Sequence, residues 1–140
     1  IYFNGYRPLE TRNQNQYSIL PACINFMYPN GNIKDVPPKE RFRSDIACCL
    51  ATTHHLLLTQ GYSIDKIFET IRTYANKYVF IEFMPKGLYS KKYGSQKAPD
   101  WYTTEWFRMN FMKYFVLRGE IKLNEIRYLF WGGVLTNKTS

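Results

Sequence analysis

Two short apolar runs flank one strongly amphipathic segment, and that juxtaposition restricts the fold more than any other feature of the chain. Residues 44–52 read SDIACCLAT and residues 78–84 read YVFIEFM. Runs of this length are strands. The continuous rather than alternating hydrophobicity of the first suits a strand covered on both faces, as in a parallel sheet, and the second is dense in β-branched and aromatic residues. Between them Ile64, Ile67, Phe68, Ile71, Tyr74 and Ala75 recur at helical spacing, while Lys66, Glu69, Arg72 and Thr73 face away. Ser63 is placed to cap this helix, and Asp65 lies near its positive N-terminus. Strand, helix, strand is the unit from which parallel α/β sheets are assembled.

The flanking segments extend the pattern. Residues 18–27 (SILPACINFM) predict an earlier buried strand, and residues 28–39 (YPNGNIKDVPPK) a loop, because Pro-Asn-Gly and Pro-Pro forbid regular structure. Thr103 caps a second helix with Phe107, Phe111, Tyr114 and Phe115 as its inward stripe. Residues 115–123 and 126–134 are two apolar stretches with a tight connection near Asn124, which predicts a closing antiparallel hairpin. The predicted class is α/β, with a mostly parallel sheet and an antiparallel edge.

A chain of 140 residues forms one domain, 1–140, with a sizeable core. Its 45% hydrophobic and 18% aromatic content excludes a coil-forming composition. The longest uncharged apolar run, residues 46–61, holds His54, His55 and several threonines and falls short of the roughly 20 residues that span a bilayer. No membrane partner is expected. No basic segment followed by an apolar one opens the sequence, so no secretory signal is read in it. Of the three cysteines, Cys48 and Cys49 are adjacent and could bridge only under strain. With Cys23 they read as buried thiols in a reducing compartment, which makes a cytoplasmic location the expectation. No Cys/His metal spacing occurs, and no metal is expected.

The net charge of +8 is concentrated. Lys86, Lys91, Lys92 and Lys97 alternate with Tyr89 and Tyr93, a pattern that either tracks a phosphate backbone with rings available for stacking or simply solvates a surface loop.

Five segments carry a family resemblance. ILPACINFMYPNG (residues 19–31) resembles the third-strand segment of one subgroup of class I S-adenosylmethionine-dependent methyltransferases, where ILPLVxDxxxPS is usual. DIACCLATTHHLLLTQG (45–61) resembles its fourth strand with the paired histidines, and YVFIEFMPKG (78–87) its fifth. DWYTTEWF (100–107) is similar to the DYTxExF entry to the last helix, and IRYLFW (126–131) to the RxLYL of the final strand. The subgroup includes proteins related to the nodulation methyltransferase NoeA. The resemblance implies a partial Rossmann-like methyltransferase sheet lacking its first two strands. The glycine-rich turn that approaches the donor has no counterpart, nor has the acidic residue that closes the second strand. Asn25 stands where the family has Asp. The expected entity is therefore the C-terminal portion of a longer enzyme, inactive alone, that forms the acceptor side and part of the adenine pocket.

What the resemblance implies for the site follows from where such sheets bind ligands, beyond the carboxyl ends of the strands. His54 and His55 are the candidate general bases for an acceptor hydroxyl or amine, with His54 favoured to face the cleft; otherwise they satisfy neighbouring backbone groups. Glu82, inside an apolar strand, needs a partner such as Arg127, Lys86 or a histidine. It either orients the base or forms a structural ion pair. Asn25, Phe26 and Thr53 are the candidate cofactor contacts, with S-adenosylmethionine the cofactor of the complete enzyme. Lys86 and Tyr89 are the candidate substrate contacts. Trp101, Trp106 and Trp131 are read as core. The expected partners are the missing N-terminal cofactor-binding segment and a small-molecule or saccharide methyl acceptor. Two other readings stay open: a non-catalytic basic module for an anionic partner such as nucleic acid, and a degenerate methyltransferase-like scaffold whose open sheet edge recruits a partner or another copy of itself.

Overall fold

The computed structural model describes residues 24–28, 36–87 and 97–135. In chain order these form α1 (Pro38–Arg41), β1 (Ser44–Cys49), a π-helical turn (His55–Thr59), α2 (Ile64–Tyr74), β2 (Ala75–Phe83), α3 (Thr104–Tyr114), β3 (Phe115–Asn124) and β4 (Arg127–Val134). The four strands make one open mixed sheet in the order β1-β2-β4-β3. β1 and β2 run parallel, and the hairpin β3–β4 adds antiparallel through β4. The α/β class and the closing antiparallel hairpin are as read from the sequence, but the described sheet is not mostly parallel: only β1–β2 is a parallel pair, because the hairpin docks on β2 and makes the other two pairings antiparallel.

Both long helices start as their caps dictate. The Ser63 hydroxyl accepts the Lys66 N–H at 3.2 Å, and the Thr103 hydroxyl accepts the Trp106 N–H at 3.1 Å. Each ends by passing straight into a strand, at Ala75 and at Phe115. Their apolar stripes converge on one face of the sheet. Phe68 of α2 meets the rings of Phe107 and Phe111 of α3 edge-on at 5.4 and 6.1 Å. Phe83 of β2 stacks on Phe107 at 4.5 Å, and Phe130 of β4 lies 4.9 Å from the same ring. Val79, Ile81, Phe83 and Phe130 are fully enclosed there. At about 1.5–3 kcal/mol per fully buried large apolar side chain, this layer supplies most of the driving force.

The opposite face has no such cover among the described residues. Alternation places Ile46 and Cys48 of β1, Tyr78 and Phe80 of β2, Leu129 and Trp131 of β4, and Val116 and Ile121 of β3 on it. Ile46 is 50% exposed, Ile121 49% and Tyr78 43%. Trp131 stacks on Phe80 at 5.9 Å and spreads over Gly119, where any Cβ would overlap the indole nitrogen.

Several expectations are corrected here. β1 is not covered on both faces: Ala47 and Cys49 turn toward the core, while Ile46 and Cys48 are exposed, Cys48 contrary to the expected buried thiol. The continuous run was misleading because helices cover one side only. The loop contains α1, started by proline in its first turn, where the missing N–H costs nothing. Residues 24–28 are bent rather than extended, since the Asn25 side chain accepts the N–H groups of Met27 and Tyr28 at 3.2 and 3.1 Å. The rest of that predicted strand, with Cys23, lies outside the described residues. Trp101 is half exposed, although it packs on Trp106 at 4.9 Å.

Candidate functional site

The carboxyl ends of the parallel pair carry a connected polar cluster. β1 ends at Cys49, and the chain turns at Ala51, which adopts a left-handed φ of 51°. That conformation is unfavourable for a residue with a Cβ, so something must hold it. Glu82 does. Its Oε2 accepts the Ala51 N–H at 2.6 Å, and its Oε1 accepts Arg127 Nη1 at 2.8 Å. The Glu82 side chain is 4% exposed, and Arg127, at 40%, still reaches water. A carboxylate enclosed this far needs both donors, and each bond to a charged group is worth about 1.5–3 kcal/mol.

Directly after the turn, the Thr53 hydroxyl donates to the Glu82 carbonyl at 2.9 Å and ties the new helical turn to β2. The Thr52 carbonyl accepts the N–H groups of His55 and Leu56, both at 3.1 Å. His54 and His55 follow, with ring centroids 4.3 Å apart. His54 is enclosed and its Nδ1 has no hydrogen-bond partner among the described residues. Burial, reinforced by the neighbouring His55 and Arg127 charges and opposed by Glu82, lowers its pKa to about 4. His54 is therefore a neutral ring beneath the surface. His55 is only partly buried and stands above it. His54, the imidazole expected to face the cleft, is the enclosed one, and His55 is the more exposed of the two.

Glu82, Thr53, His54 and His55 are thus brought together, and Arg127 is the partner of Glu82 that the buried carboxylate required. Asn25 and Phe26 do not join them. Phe26 stacks on Tyr74 at 5.3 Å, at the end of α2 that leads into Ala75. Ala75 opens β2 and pairs with Ser44 at the amino end of the sheet, whereas Thr53 is bound at Glu82. Seven residues of strand separate the two places, roughly 23 Å at about 3.3 Å per residue. The Asn25 oxygen is also committed to its own turn. Lys86 lies just beyond β2 on the site's end of the sheet, and Tyr89 lies outside the described residues.

A donor nucleoside would need a glycine-rich turn, a ribose-binding carboxylate and an adenine wall in one place. The described residues do not assemble that set, so this portion of the chain does not by itself fit S-adenosylmethionine. The role of Ala51 was not legible, because a left-handed turn normally announces itself with glycine or asparagine. Among the described residues no group of three or more His, Cys, Asp or Glu could hold a metal ion, and no helix is long and apolar enough to cross a membrane. Comparisons with protein-family models, curated proteins and solved structures find no match to this chain.

Proposed function

We propose that this chain is the acceptor-side, C-terminal portion of a class I S-adenosylmethionine-dependent methyltransferase of the nodulation-type subgroup, completed by an upstream segment that holds the donor. The observation that carries the reading is the unfinished sheet. Among the described residues β1 is hydrogen-bonded to a strand on one side only, and its outer face, continuous with that of β2, β4 and β3, is apolar yet exposed. All-parallel sheets are found almost only with both faces covered, and the parallel pair β1–β2 lies bare on one face here. An upstream strand laid beside β1, with helices over the bare face, would finish both surfaces together.

In this reading each residue of the cluster has a distinct part. His55, at the accessible position, takes the proton from the acceptor hydroxyl or amine. His54 packs beneath it as a neutral ring. Glu82 and Arg127 are positioning residues that hold the Ala51 turn, and hence both imidazoles, at the carboxyl end of the sheet. The shared location of these groups at that end supports the assignment.

The test is to express the chain together with its upstream reading frame and assay methyl transfer from labelled donor to hydroxyl and amine acceptors. The longer protein should transfer, the chain alone should not, and His55→Gln in the longer protein should lower kcat by about a hundredfold or more. An upstream frame with no glycine-rich βα turn would overturn the proposal. So would a longer protein whose bare sheet face still binds hydrophobic dye.

A further inference from the structure

Two histidines adjacent in a helical turn cannot share one outlook, because successive side chains leave the axis about 100° apart. Here His54 is enclosed, at 1% exposure, and His55 is only partly buried. The rotation of the turn about its own axis therefore decides which ring the site presents. The chain leaves β1 through Ala51, whose N–H is held by the Glu82 carboxylate at 2.6 Å. Two residues later Thr53, 2% exposed, donates its hydroxyl to the carbonyl of the same Glu82 at 2.9 Å. The first clamp is a main-chain contact that precedes the helical turn and leaves its rotation open. The second is made by the side chain of the turn's first residue, so it sets the direction in which that residue points.

Beyond the histidines the turn widens. The His55 carbonyl accepts the Gln60 N–H at 3.0 Å, five residues on, around the π-helical segment His55–Thr59. Such segments are rare and persist where the surroundings over-determine them. Leu56 is 4% exposed, and Leu58 lies so close to Gly87 that a Cβ there would stand 2.7 Å from Leu58 Cδ1. Apolar contacts of this kind are non-directional, whereas a hydrogen bond weakens steeply off its axis. Among the described contacts of the turn, the Thr53 hydroxyl is the directional one made by a side chain.

We propose that the Thr53 hydroxyl is a positioning group that selects between the paired histidines, fixing the turn so that His55 is presented and His54 enclosed. That His55 then takes a proton from an acceptor rests on the reading above; the selection itself does not. Thr53→Val keeps the side chain's shape and removes the donor, Thr53→Ser keeps the donor, and Thr53→Cys keeps a weaker one. The test follows both imidazoles of the chain by long-range proton–nitrogen NMR between about pH 5 and 8, beside a urea unfolding curve. In the wild type, burial, with His55 and Arg127 acting against Glu82, holds the His54 pKa down at about 4, so its ring stays neutral across this range. In Thr53→Val the His54 ring should reach water and titrate inside the range. Thr53→Ser should match the wild type and Thr53→Cys should fall between the two, a series that decides the matter even where Thr53→Val fails to fold. A lowered unfolding midpoint with His54 still silent in every variant that folds makes Thr53 a packing contact and overturns the proposal. In the longer protein Thr53→Val should lower kcat about tenfold at unchanged KM, and Thr53→Ser should restore it. Imidazole changes without methyl transfer by the longer protein keep the selection and remove the methyltransferase reading; transfer that Thr53→Val leaves unaltered, with His54 silent, does the reverse.

Discussion

Glu82 and Arg127, 45 residues apart in the chain, meet with Arg127 Nη1 2.8 Å from Glu82 Oε1, and the other carboxylate oxygen takes the Ala51 N–H at 2.6 Å. One buried side chain thereby links β2 to β4 and to the turn that ends β1. The turn from which the histidines leave the sheet is thus held by a buried carboxylate and its two donors.

Removing the charge should therefore cost more than removing contacts. Glu82→Ala leaves the Ala51 N–H unpaired and a left-handed turn unsupported, while Arg127 escapes partly into water. The expected loss is about 3 kcal/mol in urea denaturation. Glu82→Gln keeps an acceptor for Ala51 and should lose about half as much. Ala51→Gly relieves the backbone and should raise stability by about 0.5 kcal/mol, a sign opposite to that of glycine elsewhere.

His54 sets a pH dependence whose sign follows from its burial. Its folded pKa lies near 4 and its unfolded value near 6.5, so between these limits the unfolded chain binds the proton and the folded chain does not. Stability contributed by neutral His54 is complete above about pH 6.5 and is lost as pH falls toward 4. The full effect is on the order of 3 kcal/mol. His54→Phe buries a ring that cannot ionise. The difference between the wild-type and variant unfolding free energies should change across that window and stay flat above it; a constant difference from pH 7 to 4 would contradict the account.

The two adjacent thiols should behave as opposites. Cys48 is exposed, and Cys49 is buried with its pKa pushed up to about 12, chiefly by burial. Iodoacetamide at pH 8 should modify Cys48 in the native protein and leave Cys49 untouched until denaturant is added, as peptide mapping would read directly. Equal labelling of both would show that β1 opens locally.

The fold was legible wherever one residue's local chemistry decided the outcome. Ser63 and Thr103 announced both helix starts, and the stripe from Phe107 to Phe115 announced the face that α3 buries. The burial of β1 was not legible, because a continuous apolar run looks the same whether its second face is covered or merely apolar. Likewise Glu82 in an apolar strand demanded a partner, and Arg127 provides it. Nothing in a bare Leu-Ala-Thr sequence shows that Ala51 takes a positive φ, since that conformation is imposed by a carboxylate 31 residues away. Asn25 and Phe26 were placed by analogy with a strand end. Their own turn chemistry bends the chain there and leaves Phe26 stacked on Tyr74 at the carboxyl end of α2.

The bare sheet face gives the sharpest contrast between this chain and the longer protein proposed to contain it. Ile46 and Ile121 lie on that face on opposite edge strands, each about half exposed. In the chain alone, Ile46→Lys and Ile121→Lys place charges in water and should change unfolding free energy by no more than about 0.5 kcal/mol each, while lowering hydrophobic-dye binding. In the longer protein the same lysines would be trapped under a helical layer, and each unpaired charge should cost several kcal/mol or shed the upstream segment altogether. Urea denaturation of both proteins with both substitutions measures the contrast. Costs that are small in both contexts would mean that no upstream layer covers this face, and self-association lost on substitution in sedimentation would mean that a second copy does.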